Sequence, residues 1–301
     1  MITQDSDYSK TYSRYLTMLA REPRVPLPET IDRDARRALA EDLGSGDLTA
    51  ALIPQDSRVQ AQVITREPAI LCGIPWFNSI FRQLDERITI AWQAADGDAI
   101  ASNQALCHLE GPSQALLSGE RTALNFLQTL SGTATLTREY ANALHGTSTR
   151  LLDTRKTIPG LRAAQKYAVR CGGGYNHRLG LFDGLLIKEN HIMAAGSIES
   201  AVKRAKTLYP DRPLEVEVED REQLARAIAA GAEIVLLDNF TLEHLREAVA
   251  LNQGRVLLEA SGGFDRAILG EVAKTGVDYV SVGALTKHVR AIDLSMRFLN
   301  N

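Results

Sequence analysis

Between residues 58 and 111 apolar and polar residues alternate with the two-residue period of strands buried on one face. The runs VQAQVITRE, AILCG, RITIAWQA and ALCHLEG are short, and turn signals at Arg66-Glu67-Pro68 and Asp96-Gly97-Asp98 separate them. Ahead of them, IDRDARRALAEDL brings Ile31, Ala35, Leu39 and Leu43 onto one helical stripe, which Gly44 and Gly46 end. A helix is predicted among the strands at 75–84 and a long helical segment at 113–144, whose interior Ser131-Gly132 marks a break or a close contact. Helices with a largely antiparallel sheet make an α+β module.

From residue 150 the rhythm becomes strand, then helix, repeated. Apolar strands are predicted at 150–153, 184–188, 213–218, 233–238, 256–260 and 279–282, with helical periodicity in EQLARAIAAG and LEHLREAVALN between them. The last four begin 20, 23 and 23 residues apart. Regular β-then-α units with apolar strands predict parallel pairing, and no Gly-x-Gly-x-x-Gly follows a strand, which weighs against a dinucleotide-binding sheet. The expected fold is α/β, an incomplete (β/α) barrel preceded by an N-terminal α+β sandwich, with about six strands visible where a full barrel has eight. The expected divisions are a variable extension over 1–28 (a possible docking helix ending in Pro23, Pro26 and Pro28), a sandwich domain with the long helix over 29–148, and a catalytic barrel over 149–301.

A hydrophobic content of 45% and a charged content of 24% are those of an ordinary globular protein. A net charge of -3 argues against binding nucleic acid by bulk charge. Cys72, Cys107 and Cys171 have no CxxC spacing, so neither a disulfide framework nor a zinc site is expected. No apolar run approaches the ~20 residues that cross a bilayer, and MITQDSDYSKTYSRYL lacks the apolar core of a secretory signal, so no membrane contact and a cytoplasmic location are expected.

Charge changes the picture locally. From Arg150 to His191 eight Lys and Arg face three acids, a balance of +5 inside an acidic chain. Cations gathered in this way grip an anion.

In a barrel the ligand meets the C-terminal ends of the strands. Those ends are predicted to carry Asp153, Thr154, Arg155 and Lys156, then Lys188 and Glu189, Glu217, Asp238 and Asn239, Glu259 to Gly263, and Ser281 to Ala284. The glycine-containing runs Ser261-Gly262-Gly263 and Val282-Gly283-Ala284 follow the last two strands, where such barrels commonly hold phosphate on backbone N–H groups. Glu217 and Asp238 suit either a Mg²⁺ site completed by phosphates and water or ion pairs with the cations, and both readings stand. Lys188 suits a counter-charge better than a Schiff base. After the triplet Gly172-Gly173-Gly174, His177 and Arg178 are candidate ligand contacts, the planar guanidinium fitting a carboxylate. His108, His145, His244 and His288 have no such setting and read as structural.

Taken together the chain resembles the quinolinate phosphoribosyltransferase family from Ile31 onward. The resemblance rests on EDLGSGDLT (41–49), SGERTALN (118–125), DTRKT (153–157), GGGYNHR (172–178), IKENH (187–191), EVEV (215–218), LDN (237–239), SGG (261–263) and VGALT (282–286). Residues 1–28 fall outside it, and Glu189 stands where many members carry aspartate, a change that keeps the carboxylate.

The resemblance implies conversion of quinolinate and phosphoribosyl pyrophosphate to nicotinate mononucleotide, pyrophosphate and CO₂, with Mg²⁺, in NAD biosynthesis. It implies that Thr154, Arg155, Lys156, His177, Arg178 and Lys188 bind quinolinate, with Lys156 and Lys188 also reaching phosphate. It further implies Glu217 and Asp238 at the ribose hydroxyls and the metal, partly through water, and 261–263 with 282–284 at the 5-phosphate. Arg121, which by itself reads as a helix-surface arginine, is implied to enter the site of a neighbouring subunit in a homodimer or larger homo-oligomer. The rivals are a paralogous phosphoribosyltransferase of the kind associated with molybdate transport, a non-catalytic phosphometabolite sensor, and a Schiff-base aldolase using Lys188.

Overall fold

The computed structural model describes residues 25–299. The expected extension therefore lies, over residues 1–24, outside the described residues. The chain divides into two compact units whose segments interleave: one holds Glu139–Lys156 and Gly174–Gly283, and the other holds 25–138, Thr157–Gly173 and 284–299.

The second of these begins with α1 (Pro28–Leu43), which starts three residues ahead of the run IDRDARRALAEDL because Pro28 occupies its first turn, where a missing N–H costs nothing. Its sheet contains β1 (Arg58–Thr65), β3 (Thr89–Trp92) and β5 (Ala105–Pro112), while β2 (Ala69–Ile70) and β4 (Ala99–Ile100) pair separately. Helix α2 (Ile74–Leu84) buries Trp76, Phe77, Ile80 and Phe81 in a core shared with Leu106 and Leu109 of β5 and with α3 (Ser113–Ala143), which contributes Leu116, Leu124, Leu127 and Leu130. Helix α3 is unbroken. Gly132 instead marks a close approach, since a Cβ there would lie 2.1 Å from the carbonyl oxygen of Arg290. Ser131 beside it accepts a hydrogen bond from the Cys72 N–H at 2.9 Å and donates one to the Cys72 carbonyl at 3.1 Å.

The other unit is a six-stranded sheet in which every pairing is parallel. Its strands are β6 (Arg150–Leu152), β7 (Leu185–Ile187), β8 (Leu214–Val218), β9 (Ile234–Asp238), β10 (Leu257–Ser261) and β11 (Tyr279–Ser281). They lie within two residues of the predicted bounds at each end. Their spatial order is β6-β11-β10-β9-β8-β7. The two edge strands are thus consecutive in sequence, which is what an incomplete barrel requires.

Between the strands, α6 (Ile198–Leu208) is capped by Ser197, α7 (Arg221–Ala230) by Asp220 and α8 (Leu242–Asn252) by Thr241, each side-chain oxygen accepting a main-chain N–H at 2.8–3.2 Å. Helix α4 (Arg162–Cys171) follows β6 in sequence, α5 (Glu189–Ala195) follows β7, and α9 (Leu269–Ala273) follows β10. After β11 the chain runs through α10 (Ala284–Lys287) to β12 (Leu294–Phe298). That last strand pairs antiparallel with β1, giving the sheet order β12-β1-β5-β3. No helix among the described residues is long and apolar enough to cross a membrane.

Candidate active site

Because all six barrel strands run the same way, their C-terminal ends collect at one end of the sheet. The ladder sets which side chains share a face. Glu217 pairs with Leu236, Leu236 with Glu259, and Glu259 with Tyr279. One step on, Asp238 pairs with Ser261 and Ser261 with Ser281. By the two-residue alternation of strands, Glu215, Glu217, Asp238, Glu259, Ser261 and Ser281 therefore point from one face. On that face Leu152, Ile234, Leu257 and Tyr279 form a small apolar floor with Tyr175 packed on it.

At the end of β6, Asp153 is fully buried and is a scaffold residue. Its carboxylate accepts from Asn176 Nδ2 at 2.7 Å and from the His177 N–H at 2.8 Å, tying the strand end to the loop that carries His177 and Arg178. Thr154 Oγ1 accepts the Lys156 N–H at 3.1 Å and shapes the turn that carries Arg155 and Lys156. The Nε of Arg155 is buried without a hydrogen-bond partner. Arg178 donates from Nη1 to the Gly184 carbonyl at 3.1 Å. Burial and, next, the positive charge of Arg155 lower the Arg178 guanidinium below its ordinary pKa. Two like charges held close, one with an unpartnered buried donor, make a local arrangement suited to an anion.

Lys188, directly after β7, is ion-paired with Glu217 on the neighbouring β8. Asp238 ends β9 with its Oδ2 accepting from Asn239 Nδ2 at 2.9 Å. Gly283 lies against the β6 loop, for a Cβ there would come within 2.9 Å of Lys156 Cδ and 3.5 Å of Thr154 Oγ1. A side chain at 283 would have to displace the flexible Lys156 side chain, so glycine leaves that cation its place beside the loop. Gly262 similarly sits 3.3 Å, measured from an added Cβ, from Asn239 Oδ1, and Gly263 is open to solvent. The barrel unit thus brings together Thr154, Arg155, Lys156, His177, Arg178, Lys188, Glu217, Asp238, Ser261, Gly262, Gly263, Val282 and Gly283. Arg121 and Ala284 belong to the other unit, where Arg121 is exposed on α3 and Ala284 opens α10.

In the sequence reading Glu259 has a place among the strand ends but no assigned role, and Glu215 has neither. The structure places both behind His177, whose Nε2 lies 2.9 Å from Glu215 Oε2 and 3.7 Å from Glu259 Oε2. The alternation in LEVEV signals that Glu215 shares the face of Glu217, but the approach of β10 is a tertiary fact.

As a place for a divalent cation, Glu217 and Asp238 fit best. They are partly exposed carboxylates on one face of adjacent strands, the hard oxygen set from which Mg²⁺ takes one or two ligands and leaves the rest to phosphates and water.

A family model described as the quinolinate phosphoribosyl transferase N-terminal domain matches residues 47–131, and one for the C-terminal domain matches 133–297. The chain is 44% identical over 257 residues to a probable nicotinate-nucleotide pyrophosphorylase [carboxylating] of Bacillus subtilis, an alignment covering 85% of this chain and 89% of the relative. It is 42% identical over 271 residues to the nicotinate-nucleotide pyrophosphorylase [carboxylating] of Mycobacterium leprae, covering 87% and 94%. Among solved structures, the nicotinate-nucleotide pyrophosphorylase of Francisella tularensis superposes with a TM-score of 0.90 at 49% identity, covering 92% of this chain and 99% of the other.

Proposed function

The chain belongs to the quinolinate phosphoribosyl transferase family, and on that premise we propose how its barrel face divides the work. The enzyme is a decarboxylating pentosyltransferase of NAD biosynthesis, joining quinolinate to the phosphoribosyl group of phosphoribosyl pyrophosphate and releasing pyrophosphate and CO₂. The observation that carries the division is the Arg155 and Arg178 pair, two partly buried guanidiniums close enough for one charge to act on the other, with no carboxylate hydrogen-bonded to either among the described residues.

Arg155 and Arg178 hold the pyridine dicarboxylate, aided by Thr154 and by Lys156 and Lys188, which also reach phosphate. His177 borders this half of the site. Ser261, Gly262 and Gly263, with Val282, Gly283 and Ala284, take the 5-phosphate, and the tight Gly283 to Lys156 approach sets one cation beside that loop. Glu217 and Asp238 face the ribose and would hold Mg²⁺, which when bound would neutralise the departing pyrophosphate.

The ring nitrogen of quinolinate attacks C1 of the ribose as pyrophosphate leaves through an oxocarbenium-like state. The chain's part in that step is positioning and fixed charge, with no side chain forming a bond to substrate. Once alkylated, the positively charged pyridinium nitrogen stabilises the electron pair left at C2 as the 2-carboxylate departs as CO₂, and a proton from solvent then binds that pair. Arg121 is assigned to the site of a partner subunit, its exposure on α3 leaving it free to cross an interface.

The deciding experiment is an assay with quinolinate and phosphoribosyl pyrophosphate, with and without Mg²⁺. Nicotinate mononucleotide and CO₂ in equal amounts, dependent on Mg²⁺, are expected. Quinolinate binding without turnover would support a sensor instead.

A further inference from the structure

His177 has two ring nitrogens, and the structure engages both within the chain. Nδ1 accepts the Arg178 main-chain N–H at 2.7 Å, so it carries a lone pair and no proton. The ring proton of the neutral imidazole is then on Nε2, directed at Glu215 Oε2 at 2.9 Å. The same assignment argues against a metal among His177, Glu215 and Glu259, although their ligand atoms lie within 4.8 Å of one another. A cation there would need the Nε2 lone pair, which the tautomer denies it.

Behind this contact Glu259 is fully buried, and neither of its carboxyl oxygens makes a hydrogen bond of good geometry. Ser281 and Glu215 adjoin it. The apolar floor of Leu152, Ile234, Leu257 and Tyr279 supplies no cation. The Arg178 guanidinium acts on Glu215, but the buried Glu259 has only Glu215, His177 and Ser281 beside it, so two ionised carboxylates side by side here would be unfavourable.

We propose that Glu215 and Glu259 are positioning residues, in which Glu259 backs Glu215, Glu215 fixes His177 as an Nε2–H donor, and His177 Nδ1 fixes the main chain at Arg178. Burial and the charge of Glu215 push the Glu259 carboxyl well above the ordinary carboxylate range, in keeping with a neutral acid. The Arg178 amide is held by His177, its head by Gly184 and the His177 amide by Asp153, so the guanidinium is set before substrate arrives. Pre-setting a charged clamp matters because a small displacement of a clamp costs much of its effect. This role rests on the reading of Arg178 as a dicarboxylate contact.

The test uses the full-length enzyme with ¹⁵N-labelled histidine, H177N identifying the resonances. Expected is a neutral His177 ring protonated at Nε2 in the wild type and a changed pattern in E215A. In steady-state assays E215A is expected to raise the KM for quinolinate by at least ~10-fold, with the KM for phosphoribosyl pyrophosphate within ~3-fold. E259Q, which keeps a donor toward Glu215, is expected to stay within ~3-fold of wild type in both constants, while E259A follows E215A. If E215A does not fold, E215Q replaces it: an oxygen that still accepts from Nε2 should keep the tautomer and soften the effect on quinolinate.

A His177 protonated at Nδ1 or on both nitrogens in the wild type would overturn the proposal, as would E259Q as damaging as E259A or equal losses for both substrates. The spectra do not depend on turnover. Wild-type spectra as expected alongside no product from quinolinate would sink the assigned reaction and leave the His177 support standing.

Discussion

Lys188 and Glu217 form an ion pair across the boundary between β7 and β8, so one residue assigned to phosphate is held by one assigned to the ribose and metal. Of the two readings the sequence leaves side by side for Glu217, the structure shows the ion pair, and the Mg²⁺ reading stands as a proposal. In the free chain Glu217 is an ion-pair partner, and metal binding would compete with that pairing. Since the Lys188 side chain is 46% exposed, the pair contributes little to stability, about 0–1 kcal/mol. Lys188→Met is therefore expected to leave the urea midpoint nearly unchanged while lowering kcat/KM by ~10²-fold or more, as for loss of a fixed charge from a transition state. Matching chemical-denaturation curves and steady-state rates check this. A large loss of stability would show the lysine to be structural.

The Arg155 and Arg178 pair predicts a substrate-selective defect. Each cation lies close enough to the other for its charge to count, and Arg155 Nε has no partner. A dicarboxylate relieves both conditions at once. Arg155→Ala and Arg178→Ala are each expected to weaken quinolinate binding by ~2–5 kcal/mol, the usual cost of truncating one member of a buried charge pair, with phosphoribosyl pyrophosphate affected far less. Isothermal titration with each substrate separately measures the difference, and equal losses would contradict the assignment.

The strand ends are legible because the parallel strands between helices are mostly apolar runs, and each predicted run falls within two residues of an observed strand. The same rule located Arg155, Lys188, Glu217 and Asp238, all at or just beyond a C-terminal strand end. What stayed hidden depends on contacts distant in sequence. The five residues of β12 carry too short a pattern to announce a strand, and their partner β1 lies more than 200 positions earlier, with Leu294 opposite Thr65. Gly132 offered a break or a close contact, and only the Arg290 carbonyl decides between them. The sequence offers His177 as a ligand contact, whereas the engagement of both its ring nitrogens within the chain follows from β8 and the Arg178 main chain.

A separate prediction concerns stability in the other unit. Asp96 Oδ1 accepts the main-chain N–H groups of Gly73 and Ile74 at 3.0 and 3.2 Å, and Oδ2 accepts the Tyr167 hydroxyl at 2.8 Å. Burial nevertheless outweighs these bonds and pushes the carboxyl up to about 6. The folded chain therefore binds this proton more tightly than the unfolded chain, so its contribution is most favourable below the ordinary value of 3.8 and is lost as pH rises through about 6. The full loss is about 3 kcal/mol. Asp96→Asn keeps an acceptor for the two amides and has no charge to bury. It is expected to flatten the fall in stability between pH 4 and 7 and to be the more stable protein at pH 8 by ~1–3 kcal/mol. Urea denaturation across that range reads the result directly, and a parallel fall in both proteins would remove Asp96 as its source.

The last prediction concerns assembly. Arg121 is exposed on α3. Lys188 directly follows β7 of the barrel unit, so the two residues belong to different compact units of one chain. If Arg121 completes the site of a partner, each active site draws on two chains, and a defect in one half can be supplied by the other. Arg121→Ala and Lys188→Ala homo-oligomers are each expected to be nearly inactive. In a mixed dimer one site receives both substitutions and the other receives neither. Random exchange at equal concentrations puts half the dimers in the mixed form, so activity should recover toward ~25% of wild type, an estimate that treats the sites as independent. Exchange is followed by differently tagged chains, so that assembly and activity are measured on the same sample. Full exchange with no recovered turnover would place Arg121 outside the partner's site.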